Sequence, residues 1–396
     1  MLLPVYSRPS IVMHRGEGCY LYDTGGRRYL DFITGIGVNA LGHSHPRIVR
    51  TITNQAARCL HTSNLYHHEY QAPLARRLAE WSGLSHAFFS NSGTEAVEVA
   101  LKAARAHGVR QNPRKVQFVA LHNGYHGRSF GALSVTGRAA YREPFGPMLP
   151  GVTFVPANDI AALKASVTEE TAGIILEPIQ GEGGIHVLNE AFLRSAAQLA
   201  KQAGALWIAD ETQCGLGRTG TYFAFQRFAD LQPDLVVAAK PLAAGLPLGA
   251  TLFSDTAARV LHKGQHGSTF GGGPLACRVA LEVLDMIEEL LPHIRETGAY
   301  LHRQLSVFGE VRGAGLMAGL QLGRAAGTLA TDAMERGLLI NCTHGDVLRM
   351  LPPYTATRGH VEEAMGILTP LLENREVGKE RHDFAVAGAN THLARL

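Results

Sequence analysis

Two reactive side chains stand where buried strands end. Lys240 follows the apolar run Leu235–Ala239, and Asp210 follows the apolar run Ala205–Ala209. A lysine withdrawn from water is a nucleophile or Schiff-base former, and a carboxylate at the same sheet edge can pair with a protonated ring nitrogen. Taken singly, Lys240 also fits a lysine whose ammonium reaches solvent, and Asp210 fits a helix cap or surface residue.

A third segment predicts an anion site. Asn91-Ser92-Gly93-Thr94-Glu95 comes directly after an apolar run, and Ser92 with Glu95 forms a capping-box pattern that opens a helix. Gly108 is predicted to end that helix. Free N–H groups and the helix dipole at such an N-terminus favour a phosphate. An ordinary capped helix without a ligand fits this motif equally well.

These segments require a sheet that brings strand ends together. Short apolar runs alternate with helical patterns such as Glu190–Gln202, which predicts an α/β fold whose mainly parallel sheet is covered by helices. A strand pair is predicted before this region, and a long helix at about Pro274–Leu290 followed by an α+β segment after it. The predicted sheet strands are Ala87–Ser90, Val116–Leu121, Val152–Val155, Gly173–Leu176, Ala205–Ala209, Leu235–Ala239 and Gly249–Phe253.

Composition narrows the class of protein. The 396 residues are 46% hydrophobic and 18% charged with a formal net charge of +3, which excludes a disordered chain and gives no basic footprint for nucleic acid. The five cysteines are scattered without a CxxC pair, which predicts free thiols and a cytoplasmic protein. The apolar stretch Leu235–Phe253 contains Lys240, Pro241 and Pro247, so no membrane span is predicted.

In their order along the chain, these motifs resemble those of the class III, or ornithine-type, aminotransferases. The resemblance covers about residues 8 to 373 and implies the aspartate-aminotransferase fold (fold type I), with a mainly parallel seven-stranded sheet and a smaller α+β domain. It also implies pyridoxal 5′-phosphate as cofactor and a homodimer with shared active sites. The expected division is an N-terminal segment 1–50 that packs with the small domain, a large cofactor-binding domain 51–274, a small domain 275–373, and a polar tail 374–396.

The resemblance assigns the cofactor contacts. Lys240 matches the lysine that forms the Schiff base and moves the substrate proton, and Asp210 matches the partner of the pyridine nitrogen. Thr212 stands where the family usually has Ile or Val. The other implied contacts are the phosphate cradle of Gly93 and Thr94, the stacking ring of Tyr125, Gln213 near the ring hydroxyl, and Thr269, which reaches the neighbouring subunit's phosphate.

The resemblance also implies residues that bind the substrates. Arg128 matches the arginine that holds a substrate carboxylate, and Arg349 matches the arginine that grips the α-carboxylate of 2-oxoglutarate, since a guanidinium pairs with a carboxylate through two hydrogen bonds. Glu182 matches the glutamate that masks this arginine while an ω-amino substrate reacts. Ser268 is also expected on the substrate side. Each arginine alone also fits a structural salt bridge.

The family shares this machinery among several amines. Ile36 stands where ornithine enzymes of the family have a tyrosine, and Thr62–Tyr66 is similar to a segment of the acetylornithine enzymes. The resemblance therefore implies transamination of N2-acetyl-L-ornithine with 2-oxoglutarate, giving N-acetyl-L-glutamate 5-semialdehyde and L-glutamate in arginine biosynthesis. Succinylornithine, 4-aminobutyrate, ornithine and a lysine-pathway amine remain alternatives.

Other functional classes fit less well. Gly215–Gly220 spells a GxGxxG motif typical of nicotinamide enzymes, but no βαβ unit of the required length surrounds it. The 19 histidines include no HExxH pattern, so no metal site is predicted. A cofactor-sensing transcription factor would need a DNA-binding domain, and no helix-turn-helix pattern precedes residue 10.

Overall fold

The computed structural model describes residues 2–373, so the predicted polar tail, 374–396, lies outside the described residues. The strands are β1 (Met13–Glu17), β2 (Tyr20–Asp23), β3 (Arg28–Asp31), β4 (His86–Ser90), β5 (Gln117–Leu121), β6 (Val152–Val155), β7 (Thr171–Leu176), β8 (Ile179–Gln180), β9 (His186–Val187), β10 (Leu206–Asp210), β11 (Leu235–Ala238), β12 (Gly249–Phe253), β13 (Glu310–Ala314), β14 (Met317–Gln321), β15 (Leu338–Leu339), β16 (Asn341–Thr343) and β17 (Val347–Met350). The α-helices are α1 (Thr34–Gly37), α2 (Pro46–Ala56), α3 (Gln71–Ser82), α4 (Gly93–Gln111), α5 (Phe130–Ser134), α6 (Ala139–Arg142), α7 (Ile160–Ser166), α8 (Glu190–Ala203), α9 (Asp255–Ala258), α10 (Pro274–Leu305), α11 (Gly327–Glu335) and α12 (Arg358–Glu373).

The central sheet has seven strands in the order β4-β12-β11-β10-β7-β5-β6. All seven are the strands that the sequence predicts, and the mainly parallel α/β architecture is confirmed. Strand β12 runs antiparallel to both of its neighbours, whereas the other pairings are parallel. Since β12 separates β4 from β11, those two strands point the same way.

Both faces of this sheet are buried, which explains why its strands are apolar without alternation. In β10, Leu206 and Ile208 pack into a cluster with α4. The intervening Trp207 and Ala209 pack into another cluster with α8 and α10. Alternate residues of one strand thus enter two separate cores, and neither set tolerates polar substitution.

A smaller assembly joins the two ends of the described chain. Strands β1, β2 and β3 form an antiparallel meander, and β3 pairs in parallel with β15. Leu30 and Phe32 belong to the same apolar cluster as Leu301, Leu338 and Leu368. These contacts connect the segments expected at 1–50 and 275–373; the domain boundaries themselves stay a prediction.

Two helices differ from the sequence-based expectation. Helix α10 continues to Leu305 rather than ending near Leu290, with Pro292 inside it. Proline removes one helical hydrogen bond, but the residues beyond it bury an apolar face that includes Ile294 and Leu301, and this burial stabilises the continuation. Helix α4 likewise continues past Gly108, where a Cβ atom would lie 2.3 Å from the carbonyl oxygen of Lys115. Gly108 therefore permits a close approach and does not end the helix.

Within residues 2–373, no helix is both long enough and apolar enough to cross a bilayer.

Candidate active site

The carboxyl ends of six strands meet at one edge of the sheet, where ligands bind in open α/β folds, and five of these strands carry the residues that line the site. Strands β4, β5, β7, β10 and β11 all end at this edge. The residues at or just after these ends are Asn91 to Thr94, Tyr125, Glu177, Asp210 and Lys240. Segments distant in sequence are therefore brought together by strand direction alone.

A cavity of about 350 Å³ opens at this edge. That volume lies within the range of small-ligand sites, roughly 300–1,000 Å³. The predicted site residues that line it are Gly93, Thr94, Tyr125, Arg128, Asp210, Gln213 and Lys240. Glu182, Ser268, Thr269 and Arg349 do not line it.

Lys240 begins a 3₁₀ turn, Lys240–Ala243, directly after β11. Pro241 favours this turn because its fixed φ suits the first turn of a helix. Burial lowers the pKa of the Lys240 amine below its usual value, although the charges of Glu182, Asp210 and Glu177 oppose the shift. A lowered pKa leaves more of the amine uncharged, which is the form that attacks a carbonyl carbon.

Asp210 lies on the cavity floor in a network that sequence reasoning missed. Its Oδ2 is 2.8 Å from Nδ1 of His126, and its Oδ1 accepts a hydrogen bond from the Thr212 N–H at 3.0 Å. Burial opposes the charged form of His126, but the hydrogen bond and charge of Asp210 raise the pKa of the imidazole above its usual value. His126 thereby holds the carboxylate in one orientation. It lies within the quoted motif between Tyr125 and Arg128, but its partner is 84 residues away and leaves no local signal.

Glu177 is a second buried carboxylate beneath the cavity. Its oxygens accept hydrogen bonds from the N–H groups of Tyr125 at 2.9 Å and Gly181 at 3.0 Å. Burial raises the pKa of Glu177 to about 7, and the negative charge of Asp210 adds to this shift while His126 opposes it. The carboxyl group fixes the backbone that carries Tyr125.

The N-terminus of α4 faces the cavity as the capping pattern predicts. Ser92 Oγ accepts a hydrogen bond from the Glu95 N–H at 3.3 Å. The Glu95 carboxylate, however, accepts from the backbone N–H of Asn91 at 2.7 Å rather than from the cap residue. The first-turn amides of Gly93 and Thr94 have no intrahelical acceptor, so they are available to an anion.

Thr94 also positions the loop that carries Arg128. Its hydroxyl oxygen accepts hydrogen bonds from the N–H groups of Arg128 at 3.2 Å and Ser129 at 3.1 Å. The Arg128 guanidinium lies 3.6 Å from the ring centroid of Tyr141. Among residues 2–373 it has no carboxylate partner. Arg128 is therefore a positioned cation that remains available to a ligand.

Arg349 and Glu182 form an ion pair beside the cavity. Nη1 of Arg349 is 2.5 Å from Oε1 of Glu182, and it also donates to the side-chain oxygen of Gln213 at 3.2 Å. Arg349 is fully buried, whereas the Glu182 side chain is 32% exposed. Burial by itself would raise the pKa of Glu182, but the charge and hydrogen bond of Arg349 hold it below its usual value. Glu182 thus covers Arg349, which is the arrangement that the sequence resemblance implies.

Ser268, Thr269 and Ile36 lie away from this cavity, and the resemblance places Thr269 at the neighbouring subunit's site rather than at this one. Thr269 is exposed, and Ser268 uses its hydroxyl oxygen to accept hydrogen bonds from Asn91 at 3.2 Å and the Gly271 N–H at 3.0 Å. Ile36 has a positive φ of 63° and is 41% exposed, and Val38 lines the cavity instead. A β-branched residue in this backbone region is strained, so the 34–37 turn is held by its surroundings.

The sequence profile described as "Aminotransferase class-III" matches residues 4–372, nearly the whole chain. The chain belongs to the class III aminotransferase family. Its relatives include the acetylornithine aminotransferase of Aquifex aeolicus, 44% identical over 94% of this chain and 99% of the relative. Acetylornithine aminotransferase 1 of Bordetella bronchiseptica is 47% identical over 94% of this chain and 97% of the relative. The ornithine aminotransferase of Toxoplasma gondii, solved with partial occupancy of pyridoxal phosphate, has a TM-score of 0.88 at 31% identity, covering 94% of this chain and 92% of that one.

The sequence prediction of an aminotransferase that uses pyridoxal 5′-phosphate is thereby confirmed. The cavity of this class III enzyme also fits that cofactor on its own features. The free amides at the N-terminus of α4 line one side of the cavity, and Lys240, whose pKa is lowered, lines another. Asp210 retains free hydrogen-bond acceptor positions. The hydroxyl of Thr212, which lines the cavity, is a buried polar atom with no hydrogen-bond partner among the described residues. A cofactor with a phosphate, a carbonyl carbon and a ring nitrogen complements these groups.

Proposed function

We propose that this chain transfers the δ-amino group of N2-acetyl-L-ornithine to 2-oxoglutarate, giving N-acetyl-L-glutamate 5-semialdehyde and L-glutamate for arginine biosynthesis. The observation that carries this substrate choice is the 44–47% identity to acetylornithine aminotransferases over nearly the whole of both chains. The uncompensated cation Arg128 supports it, since the amine donor carries a carboxylate at the end remote from its reacting amine.

In the proposed mechanism, the chain's own residues bind the substrate and move a proton. Bound pyridoxal 5′-phosphate supplies a carbonyl carbon that takes up the amino group and a ring that accepts electrons when the C–H bond breaks. Gly93 and Thr94 would hold its phosphate and Tyr125 would pack against its ring, since all three line the cavity. Asp210 holds a proton on the ring nitrogen, and His126 orients Asp210. Nζ of Lys240 would take the proton from the amine-bearing carbon of the substrate and return it to the cofactor carbon that had carried the carbonyl group.

The carboxylate-binding residues divide the two half-reactions. While the amine donor reacts, Arg128 binds its carboxylate and Glu182 covers Arg349. When 2-oxoglutarate enters, its α-carboxylate displaces Glu182 and pairs with Arg349 through two hydrogen bonds. Gln213 contacts Arg349 and borders the cavity, so it supports the guanidinium in both states.

We also infer a homodimer in which Thr269, with Ser268 beside it, serves the active site of the neighbouring subunit. The loops 60–66 and 266–273 are joined, because the Asn64 side-chain amide donates to the carbonyl oxygens of Ser268 and Gly271 at 3.0 Å each. Together they expose large apolar side chains, namely Leu60 (59%), Leu65 (83%), Tyr66 (72%) and Phe270 (69%). An exposed apolar surface of this kind marks a protein interface.

The five cysteines are free thiols, which supports a cytoplasmic location. The proposed partners are the two substrates and a second copy of this chain, and the formal net charge of +3 gives no basic footprint for nucleic acid. The proposed packing of segment 1–50 with the small domain is supported by the apolar cluster that joins Leu30 and Phe32 to Leu301 and Leu368, and the boundaries at 50, 274 and 373 remain proposals.

A substrate panel tests this function. Purified enzyme loaded with pyridoxal 5′-phosphate is assayed with 2-oxoglutarate and N-acetylornithine, N-succinylornithine, ornithine, 4-aminobutyrate or lysine. N-Acetylornithine is expected to have a higher kcat/KM than the unacylated amines, and Lys240→Ala is expected to abolish turnover and the cofactor's visible absorbance as a protein adduct. A higher kcat/KM for 4-aminobutyrate or free ornithine would reject the proposed substrate.

A further inference from the structure

The four residues of α1 form a left-handed turn beside the cofactor cavity. The φ angles along Thr34–Gly37 are 49°, 62°, 63° and 81°, although only Gly35 and Gly37 are glycines. This conformation is unfavourable for an L-residue with a side chain, and above all for a β-branched one. The residue that follows the turn, Val38, lines the cavity. Backbone strain of this kind persists only where the surroundings hold it, and it concentrates at active sites.

Asp31 holds the start of this turn. Its Oδ1 accepts hydrogen bonds from the backbone N–H groups of Ile33 at 3.0 Å and Thr34 at 2.8 Å. Its Oδ2 lies 2.8 Å from Nε2 of His43. The Asp31 side chain is fully buried, and that of His43 is 12% exposed. Both carboxylate oxygens are therefore engaged, and the chain enters the turn in one orientation. The mechanism above uses neither Asp31 nor His43.

The turn lies between Lys240 and the end of the strand that carries Arg349. A Cβ atom on Gly37 would lie 4.0 Å from Cδ of Lys240 and 3.7 Å from Cδ1 of Leu351. The Thr34 hydroxyl donates a hydrogen bond to the carbonyl oxygen of Leu351 at 2.8 Å, and Leu351 follows Arg349 by two residues. The aliphatic part of the Lys240 side chain therefore has the turn as its neighbour on one side.

We propose that Asp31, held by His43, is a positioning residue for Lys240. The carboxylate keeps the left-handed turn in place, and the turn limits where the lysine side chain can lie, so that Nζ keeps one position over the cavity. The inference rests on the proposed role of Lys240 and not on the choice of amine donor. Misplacing a reacting group by about 1 Å can cost about a hundredfold in rate, so releasing the turn lowers kcat more than it raises KM.

Asp23 provides a matched control for Asp31. Its Oδ1 also accepts hydrogen bonds from two backbone N–H groups, those of Gly25 and Arg27, at 2.9 Å each. Its Oδ2 accepts a hydrogen bond from the Tyr29 hydroxyl at 3.0 Å. The turn that Asp23 holds lies at the opposite end of β3 from Asp31, and none of its residues lines the cavity. Asp23→Ala therefore removes a similar set of bonds at a distance from Lys240.

The test measures both half-reactions of the loaded enzyme by stopped flow. Asp31→Ala is expected to lower the limiting rate constants of both half-reactions by about tenfold or more and to change substrate affinities by less than about threefold. Asp31→Asn keeps an acceptor oxygen for the two N–H groups and should retain the rate constants within about threefold. Asp23→Ala should lower the melting temperature but keep the rate constants within about twofold. Unchanged rate constants in Asp31→Ala, or an equal loss in Asp23→Ala, would overturn the proposal.

Hydrogen exchange of the loaded enzyme tests the turn independently of turnover. Asp31→Ala is expected to speed amide exchange in residues 33–39 by about tenfold or more, and Asp23→Ala is not. If Asp31→Ala does not fold, Thr34→Val replaces it, since this variant removes the hydrogen bond to Leu351 and should likewise speed exchange there and lower kcat. Unchanged exchange in 33–39 would contradict the proposal. If Lys240→Ala retains turnover, the proposed function of Lys240 fails, whereas the exchange rates still decide whether Asp31 holds the turn.

Discussion

The two ion pairs of this active site differ in how far solvent reaches them. Asp210 and His126 are both almost completely buried, with side chains 2% and 0% exposed and 2.8 Å between their polar atoms. Arg349 is equally buried, but its partner Glu182 is 32% exposed and lines a separate cavity of about 260 Å³ next to the cofactor cavity. A pair closed at both ends keeps one geometry, whereas a pair open at one end can exchange its carboxylate for that of a ligand.

The difference follows from where each carboxylate lies in the fold. Asp210 ends a central strand with neighbouring strands on both sides, and hydrogen bonds to His126 and the Thr212 N–H fix its carboxylate beside the cavity. Glu182 lies in the connection between the short strands β8 and β9, beside open space. The Asp210–His126 pair thus keeps one geometry, whereas the Glu182–Arg349 pair can open. This difference suits an enzyme that must keep one cofactor and accept two substrates.

The largest effect is expected from breaking the buried Asp210–His126 pair. Asp210→Asn should slow removal of the substrate proton by roughly 10²- to 10⁴-fold, because breaking a buried pair costs about 3–5 kcal/mol. Stopped-flow measurement of the amine half-reaction reports this step. The matched control is Asp234→Asn, a partly buried carboxylate just before β11 at the sheet edge opposite the cavity, which should leave the step unchanged. Equal slowing by both variants would show that Asp210 has only a structural role.

Breaking the Arg349–Glu182 pair should affect only the half-reaction with 2-oxoglutarate. Arg349→Ala should weaken the reaction with 2-oxoglutarate by about 2–5 kcal/mol and leave the amine half-reaction within about threefold. The companion variant Glu182→Gln uncovers Arg349 and should increase the affinity for 2-oxoglutarate. Stopped-flow measurement of each half-reaction separates the two, and equal losses in both for Arg349→Ala would make the pair structural.

The free energy of unfolding should also depend on pH, because Glu177 is a buried carboxyl group. Its pKa of about 7 in the folded protein lies above the usual value of 4.5, so the folded state binds the proton more tightly than the unfolded state. The contribution of protonated Glu177 to the free energy of unfolding is therefore fully present below about pH 4.5. It is lost as the pH rises through 7, and the loss amounts to about 3 kcal/mol.

Urea unfolding of the cofactor-free protein between pH 5 and 8 measures this loss. Glu177→Gln should flatten the dependence, since an amide does not ionise. Glu211, another buried carboxyl group whose pKa burial raises to about 7, provides the comparison, and its slope should remain in the Glu177→Gln variant. A wild-type slope unchanged by Glu177→Gln would contradict the assignment.

The smallest effect concerns the unpaired hydroxyl of Thr212. Thr212→Val keeps the shape and removes the hydroxyl, so it should weaken cofactor binding by about 1 kcal/mol if that hydroxyl bonds the cofactor. Equilibrium dialysis of pyridoxal 5′-phosphate measures the change, and Thr251→Val, whose hydroxyl donates to the Ala96 carbonyl at 2.8 Å, serves as control. Tighter binding by Thr212→Val would show that the hydroxyl is left unpaired in the loaded enzyme as well.

Local patterns in the sequence were sufficient for much of this fold. The seven strands of the central sheet are short apolar runs between helical patterns, and each is present. Lys240 and Asp210 end such runs, and Gly93 and Thr94 follow a capping residue, so their meeting at one sheet edge follows from parallel strand direction. These features depend on periodicity and chain direction, which the order of residues encodes within a few positions.

Tertiary structure alone decided which side chains pair. Arg349 meets Glu182 across 167 residues, and His126 meets Asp210 across 84, although each partner looks unremarkable in its own segment. The sequence predicts one helix end at Gly108 and another near Leu290, yet both helices continue, because close backbone packing needs the glycine and apolar burial outweighs Pro292. Propensities act over a few residues and contribute tenths of a kcal/mol to about 3 kcal/mol, whereas pairing and burial depend on neighbours that only the assembled fold supplies.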